Sequence, residues 1–181
     1  MQFAQYSDYI RVALLSEYGG IWIDSTVLLT GPIPERFLNC PLFLFKSSWA
    51  DNGISKCSSW FISSEKDNRL IAQTKYLLEL YWKNEHKLCD YYLFHLLLAL
   101  VSEYDAANKK DWKDIPFANN SDVHRMQGIL FEPYSEYHFD DTCSISNIHK
   151  LTYKIQDKKP EELKGSLYEY IISGTVATCG Q

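Results

Sequence analysis

Apolar positions near the start of the chain change from a helical to an extended spacing. Residues 7–18 carry apolar side chains every three or four positions, which predicts a helix with Ser7 as its N-cap. Gly19 and Gly20 predict the end of this helix, because glycine tolerates the left-handed backbone that commonly follows one. Residues 21–29 are rich in β-branched and aromatic side chains and predict a strand.

Short apolar runs and helical patterns alternate along the rest of the chain. Strands are predicted at residues 42–45 and 59–63, with weaker strand signals at residues 129–131 and 144–148. Helices are predicted at residues 68–82, 90–104 and 161–172. Residues 46–56 and 119–127 are predicted as loops, and residues 105–116 are polar. This alternation predicts an α/β fold for residues 1–181, organised as a single domain.

Composition and charge narrow the class of protein. The 181 residues carry a net charge of −5 and show no basic face, which argues against a nucleic-acid partner. The five cysteines form no CxxC pair, so neither a zinc site nor a disulfide framework is expected. No signal-peptide pattern is visible, and the longest apolar run, residues 91–101, is too short to cross a bilayer. These features predict a cytoplasmic protein.

The residues that suggest chemistry lie between positions 7 and 30. Asp8 and Arg11 are three positions apart, which places both on one face of the predicted helix. Asp24 ends an apolar run, where a carboxylate needs an ion pair, hydrogen bonds or a metal ion. Mg²⁺ or Mn²⁺ at such a carboxylate neutralises a diphosphate leaving group. Because such spacings are common, the residues alone favour a helix-capping Asp8, a surface Arg11 and a strand-ending Asp24.

Three segments together resemble a known family. Residues 7–24 combine a Ser-Asp-x-x-Arg helix, a Tyr-Gly-Gly turn and a strand that ends in an aspartate motif. Residues 90–95 read Asp-Tyr-Tyr-Leu-Phe-His, and residues 149–154 read His-Lys-Leu-Thr-Tyr-Lys. These segments resemble the capsular polysaccharide synthesis proteins and the related DXD-containing sugar transferases. The resemblance implies a GT-A-like (Rossmann-like) fold and a hexosyltransferase that moves a sugar from a nucleotide sugar to a glycan or lipid-linked saccharide acceptor.

The resemblance also implies a role for individual residues. Donor-binding residues would be Asp8, Arg11, Gly20, Trp60 and Lys150. Metal ligands for Mn²⁺ or Mg²⁺ would be Asp24, Thr26 and His149, and the catalytic residues would be Asp24 and Asp90. Thr26 stands where the second aspartate of the motif is expected, so metal binding would rest on one carboxylate and on a metal-bound water at the Thr26 hydroxyl.

Several of these residues also have a structural interpretation. Asp90 is a good N-cap for the helix predicted at residues 90–104, a role compatible with catalysis. Trp60 either stacks on a sugar or belongs to the core, and the core is favoured. His149 and Lys150 either complete the site or are a strand-end histidine and a solvated lysine. The remaining histidines show no informative spacing and are expected to be structural: His86, His95, His124 and His138.

The resemblance places a nucleotide-binding segment before the Ser-Asp-x-x-Arg helix, whereas here that helix is predicted to begin at residue 7. We therefore expect a chain that lacks the N-terminal half of the usual domain, or a partner chain that supplies it. The strand at residues 21–29 would then expose a sheet edge. The alternative is a non-catalytic remnant that binds a sugar, a nucleotide or a protein. Capsule assembly further implies peripheral association with the inner face of the membrane.

Overall fold

The computed structural model describes residues 3–46 and 56–174 and shows a mixed α/β protein with small antiparallel sheets. The chain divides into two compact units. Unit 1 comprises the described residues of Met1–Ile23 and Pro34–Asn119, and unit 2 comprises those of Asp24–Ile33 and Asn120–Gln181. Most of the loop predicted at residues 46–56 lies outside the described residues.

Helices and strands are numbered along the whole chain. The strands are β1 (Gly20–Ile23), β2 (Val27–Leu29), β3 (Leu42–Lys46), β4 (Cys57–Ser64) and β5 (Ile148–Lys150). The helices are α1 (Phe3–Tyr18), α2 (Glu35–Leu38), α3 (Arg69–Asn84), α4 (Leu93–Glu103), α5 (Ala106–Asp114), α6 (Arg125–Ile129), α7 (Glu136–Ile145), α8 (Pro160–Leu163) and α9 (Leu167–Ile172). A 3₁₀ turn covers Asp122–His124.

Unit 1 holds a three-stranded antiparallel sheet in the order β1–β4–β3. In the pairing of β1 with β4, Gly20 lies opposite Ser64 and Ile23 lies opposite Phe61. Among the described residues, β4 is the one strand that pairs with β1, so β1 is an edge strand. The side chain of Ile21 on this edge is exposed. This arrangement agrees with the sheet edge expected from the sequence.

The core of unit 1 lies where α1, α3 and α4 pack on one another and against the sheet. Helical spacing directs Val12 and Leu15 of α1 into this core. Ile62 of β4, Ile71 of α3 and Leu98 of α4 meet them there, and all five side chains are almost completely buried. Burial of each such side chain stabilises the fold by about 1.5–3 kcal/mol.

The turn between α1 and β1 requires glycine at two positions for two different reasons. Gly19 has a φ of +69°, and its N–H closes the helix on Leu15 O at 2.9 Å. A Cβ on Gly19 would lie 2.7 Å from the backbone N of Lys66, which is closer than real Cβ atoms approach. Gly20 has a φ of +98°, but the space beside it is open. The Tyr-Gly-Gly sequence therefore fixes how α1 passes over the end of β4.

Unit 2 is built on the pairing of β2 with β5 in a two-stranded antiparallel sheet. Val27 lies opposite Lys150, and Leu29 lies opposite Ile148. Unit 2 also has a small core, which includes completely buried Met126 of α6. Phe139, Cys143 and Leu167 of the later helices are buried in the same core, and partly buried Leu28 of β2 packs against it.

The strongest sequence patterns predicted real elements. The strands predicted at residues 42–45 and 59–63 lie within β3 and β4. Their continuous apolar runs are typical of strands that are buried on both faces. Residues 68–82 coincide with α3 to within two positions. The side chain of Asn68 caps this helix by accepting hydrogen bonds from the backbone N–H groups of Leu70 and Ile71.

Two predictions near the start of the chain are wrong. The helix predicted at residues 7–18 begins at Phe3, so Ser7 lies inside α1 and is not its N-cap. The strand predicted at residues 21–29 is two strands in different sheets. A turn separates them, in which the N–H of Val27 donates to Asp24 O at 3.1 Å. The polar triplet Asp24-Ser25-Thr26 forms this turn and interrupts the apolar run.

Later boundaries also differ from the predictions. The helix predicted at residues 90–104 begins at Leu93, and the polar residues 105–116 contain α5. The loop predicted at residues 119–127 contains the 3₁₀ turn and the start of α6. The weak strand predicted at residues 129–131 is instead the last residue of α6 and the turn that follows it. Of the weak strand predicted at residues 144–148, only residue 148 is in a strand. The helix predicted at residues 161–172 is divided into α8 and α9 around Gly165, whose φ is +73°.

None of the helices in the described part of the chain is long and apolar enough to span a membrane. Among the cysteines of the described residues, Cys40, Cys57 and Cys89 are not in a disulfide. Complete burial raises the pKa of Cys57 to about 12, which keeps it protonated. Cys143 is disulfide-bonded, which the spacing of the cysteines did not predict. Cys179 lies outside the described residues.

Candidate functional site

Arg11 and Asp8 form an ion pair along α1. Arg11 Nη1 lies 2.6 Å from Asp8 Oδ1, and Arg11 Nη2 donates to Ser7 Oγ at 3.2 Å. Only 4% of the surface of Arg11 is exposed. A charge removed from water in this way is tolerated only when it is well paired. The predicted shared helix face is confirmed, and the alternative of a solvated surface Arg11 is wrong.

Aromatic rings and an imidazole surround this guanidinium. Arg11 Cζ lies 5.4 Å from the centre of the Trp22 ring and 5.8 Å from that of Phe94, within the range of a cation–π attraction. Burial, together with the charge of Arg11, lowers the pKa of His95 to about 4, so this imidazole is neutral at pH 7. Its Nδ1 atom is buried and lacks a hydrogen-bond partner within the described ranges.

Asp90 is exposed and lies just before α4, not at its N-cap. Asp90 Oδ1 accepts a hydrogen bond from the N–H of Tyr92 at 2.7 Å, and Asp90 O accepts one from the N–H of Leu93 at 3.2 Å. The N-cap position belongs to Tyr92, whose side chain makes no capping bond. The N-cap interpretation of Asp90 is therefore wrong. The carboxylate instead holds a turn at the surface, where a ligand hydroxyl can reach it.

Trp60 belongs to an aromatic core. It is 6% exposed, and its ring stacks on Phe45 with the ring centres 4.9 Å apart and the planes 17° from parallel. The Phe61 ring meets it edge-on at 6.3 Å. These contacts favour the core interpretation over a role in stacking on a sugar.

Gly20 lies on an open groove that Ile21, Leu38 and Cys40 also line. No atom lies within 4 Å of the place where a Cβ would stand on Gly20. The backbone is thus accessible to a ligand here. The positive φ of Gly20 explains the glycine independently of any ligand.

In unit 2, strand pairing joins Thr26 with Lys150. Lys150 Nζ donates to Thr26 Oγ1 in a short hydrogen bond and to Leu151 O at 3.1 Å. The N–H of Leu151 donates to Thr26 O at 2.8 Å. Two predicted site residues that are 124 positions apart are therefore in direct contact. Thr26, which occupies the sequence position of the second aspartate expected from the resemblance, is thus bonded to an ammonium group.

His149 is completely buried on β5. Its Nε2 atom lies 3.0 Å from Thr30 Oγ1, and its buried Nδ1 atom has no partner within residues 3–46 and 56–174. Burial lowers the pKa of His149 to about 4. The imidazole is therefore neutral at pH 7 and is held by Thr30.

These residues of unit 2 fit a divalent cation poorly. Asp24 supplies one carboxylate, the ammonium of Lys150 already engages Thr26, and the Nε2 atom of His149 faces Thr30. A cation beside Thr26 would be repelled by the Lys150 ammonium. Within the described residues, no three or more His, Cys, Asp or Glu side chains are arranged to hold a metal ion. The chemistry of this donor set does not support Mn²⁺ or Mg²⁺ at Thr26.

Sequence reasoning missed the neighbours of the predicted residues. Thr30 contacts His149 through its hydroxyl group. The Trp22 ring lies beside the Arg11 guanidinium, and the charge of Arg11 acts on His95. Two of the three carried a sequence signal: Thr30 follows the apolar run of β2, and His95 interrupts the apolar sequence of α4. A polar side chain in an apolar pattern requires a partner inside the fold.

A family model described as "Capsular polysaccharide synthesis protein" matches residues 1–171. A search of curated proteins gave no match. The family match extends from α1 into α9 and includes every residue to which the sequence assigned a role.

Proposed function

Since the chain belongs to the family of capsular polysaccharide synthesis proteins, we propose that it is a GT-A-like glycosyltransferase that moves a sugar from a nucleotide sugar to a saccharide acceptor. The buried Asp8–Arg11 pair is the observation that carries this proposal. An arginine with 4% exposure, beside a carboxylate and two aromatic rings, is expensive to maintain for stability alone. Donor recognition explains its presence.

Chemical complementarity supports the donor role. A guanidinium presents several N–H groups in a fixed plane and suits the oxygen-rich surface of a nucleotide sugar. Asp8 holds the guanidinium from one side at 2.6 Å and thereby limits its rotation. Asp8 also offers a carboxylate to the ribose or sugar hydroxyls. Arg11 and Asp8 thus bind and orient the donor.

Lys150 takes the role of stabilising the leaving group. In the reaction, the acceptor oxygen bonds to the anomeric carbon, and the bond from that carbon to the diphosphate oxygen breaks. The nucleoside diphosphate leaves with the bonding electrons, and the acceptor hydroxyl gives its proton to a base. A fixed ammonium offsets the negative charge that develops on the diphosphate. Thr26 positions this ammonium through its hydroxyl group.

A second candidate function is binding without turnover, in which the chain holds a sugar, nucleotide or partner protein. The poor fit of Asp24, Thr26 and His149 to a metal ion favours it, because related chemistry often relies on a divalent cation. A measurement of donor cleavage separates the two candidates. Binding of a nucleotide sugar without cleavage would support the second one.

The test measures binding and hydrolysis of UDP-, GDP- and CMP-sugars, in Mn²⁺ and in excess EDTA. We expect one donor to be hydrolysed in EDTA, because Lys150 does not depend on metal. Lys150→Met should lower hydrolysis by about a hundredfold, as for removal of one charge-stabilising group. Lys110→Met is the control, since Lys110 is an exposed lysine of α5.

Two further variants sharpen the result. Arg11→Lys should weaken donor binding, because an ammonium cannot reproduce the planar guanidinium. Asp24→Ala tests the predicted metal ligand: a Mn²⁺-dependent activity lost in this variant would contradict the metal-free assignment to Lys150. Absence of both binding and hydrolysis in a chain shown to be folded would overturn the proposed enzyme.

A further inference from the structure

Two neighbouring tyrosines form an exposed right-angled corner at the start of α4. Tyr91 is 61% exposed and Tyr92 is 47% exposed. Their ring centres lie 5.2 Å apart, and the ring planes meet at 90°. We propose that this tyrosine corner, Tyr91 and Tyr92, binds the acceptor saccharide next to Asp90. The inference rests on the proposed glycosyltransferase function and adds the place and the class of the second substrate.

Two backbone N–H groups donate hydrogen bonds to Asp90 and hold the turn that carries the corner. The N–H of Tyr92 donates to Asp90 Oδ1 at 2.7 Å, and the N–H of Leu93 donates to Asp90 O at 3.2 Å. Directly afterwards, Leu93 and Phe94 are buried and anchor the start of α4 in the core of unit 1. A platform organised before binding loses less conformational entropy when a ligand arrives.

The geometry of the two rings suits a sugar. One face of a pyranose presents C–H groups, which pack favourably on the electron-rich face of an aromatic ring. A second ring at 90° adds a side wall, and the tyrosine hydroxyls supply hydrogen bonds at the rim. A neutral saccharide needs no charged partner, and the nearby His95 is neutral at pH 7 because its pKa is lowered to about 4.

The corner is continuous with the donor residues of unit 1. The ring centres of Tyr92 and His95 lie 5.6 Å apart, and those of His95 and Phe94 lie 5.2 Å apart. Arg11 Cζ in turn lies 5.8 Å from the centre of the Phe94 ring. One chain of contacts within a single unit therefore runs from the donor-binding guanidinium to the acceptor platform.

The same turn places a base beside the bound acceptor. Asp90 Oδ1 is engaged by the N–H of Tyr92, which leaves Oδ2 to receive the proton of an acceptor hydroxyl. The tyrosine corner thus positions the sugar, while Asp90 handles its proton. This division explains why an acidic residue directly precedes two exposed aromatic ones.

The test uses saturation-transfer NMR of the whole chain with lactose, cellobiose and N,N′-diacetylchitobiose as probes. We expect the wild type to bind at least one of them. Tyr91→Ala and Tyr92→Ala should weaken this binding by about threefold to tenfold, as for loss of an aromatic contact. Tyr91→Phe and Tyr92→Phe should retain most of it. Tyr104→Ala is the matched control, because Tyr104 is a 75% exposed tyrosine at the other end of α4.

Donor hydrolysis without acceptor, measured on the same variants, separates this inference from the proposed function. Wild-type hydrolysis that persists in Tyr91→Ala and Tyr92→Ala, with saccharide binding weakened, supports the acceptor site. The acceptor site is overturned if the wild type binds no saccharide, or if the alanine variants bind it as tightly as the wild type does. Either result would also be obtained if the corner contacts another protein instead. If the wild type binds saccharide but does not hydrolyse any donor, the result counts against the proposed function and not against the saccharide site.

Discussion

Arg11 Cζ lies 5.4 Å from the centre of the Trp22 ring, on the strand that follows the helix of Arg11. The Gly19-Gly20 turn makes this contact possible, because it folds β1 back beside the end of α1. Arg11 and its aromatic neighbour Trp22 are therefore brought together by local sequence.

Replacement of the two turn glycines should have unequal effects. Both substitutions place alanine at a positive φ, which costs about 1 kcal/mol. Gly19→Ala should cost more, because its Cβ would stand 2.7 Å from the backbone N of Lys66, whereas Gly20→Ala meets open space. Chemical denaturation of both variants measures the free energies of unfolding. Equal values would contradict the close approach at Gly19.

The Asp8–Arg11 pair should show a large coupling energy. Asp8→Asn leaves a buried guanidinium without its carboxylate, so we expect a loss of about 3–5 kcal/mol in the free energy of unfolding. A double-mutant cycle with Arg11→Met isolates the interaction between the two side chains. The exposed pair Lys110–Asp114 is the control and should give a coupling close to zero. Similar couplings for both pairs would argue against a buried Asp8–Arg11 ion pair.

The contact between Thr30 and His149 should stabilise unit 2. Thr30→Val removes the hydroxyl that lies 3.0 Å from His149 Nε2 and leaves a buried imidazole nitrogen without its partner. We expect a loss of about 1–3 kcal/mol in the free energy of unfolding. Thr30→Ser keeps the hydroxyl and should lose less. If the valine variant matches the wild type in thermal and denaturant unfolding, the contact contributes nothing.

Two buried histidines predict a loss of stability in mild acid. The folded-state pKa values of His95 and His149 are lowered to about 4, while the unfolded chain binds these protons near pH 6.5. The unfolded state therefore gains protons first, and stability should fall as the pH drops from 6.5 towards 4. Each unit of difference in pKa corresponds to about 1.4 kcal/mol.

Denaturation curves at several pH values test this dependence. His149→Gln should have a flatter profile between pH 6.5 and 4 than the wild type. His86→Gln is the control, since His86 is exposed on the loop after α3. An unchanged slope in His149→Gln would mean that the imidazole of His149 is charged or solvated in the folded protein.

The part of the candidate site carried by α1 was predictable because its contacts are local. Asp8 and Arg11 are one helical turn apart, so periodicity alone brings them together. Trp22 and His95 were not predictable as neighbours of Arg11, because a glycine turn and the packing of α4 place them there. Sequence spacing contains no direct information about such tertiary contacts.

The division of residues 21–29 shows why the contacts of unit 2 were harder to predict. An apolar run around Asp24 looks continuous in sequence, but its two ends join different sheets. β2 pairs with a strand at residues 148–150, and no local pattern specifies that partner. The contact between Lys150 and Thr26 was thus accessible only through family resemblance, which placed both in one site.

The connectivity of the two units has a consequence for biosynthesis. β2 is translated early, but β5, the strand with which it pairs, follows only after residues 34–119 of unit 1. During synthesis the nascent β2 must remain unpaired while the ribosome adds the whole intervening unit. Closing that long loop is favourable only once β5 has emerged, so unit 1 can fold first and the contact of Lys150 with Thr26 forms last. Termination before residue 148 would release a chain with an assembled Arg11 region and no Lys150.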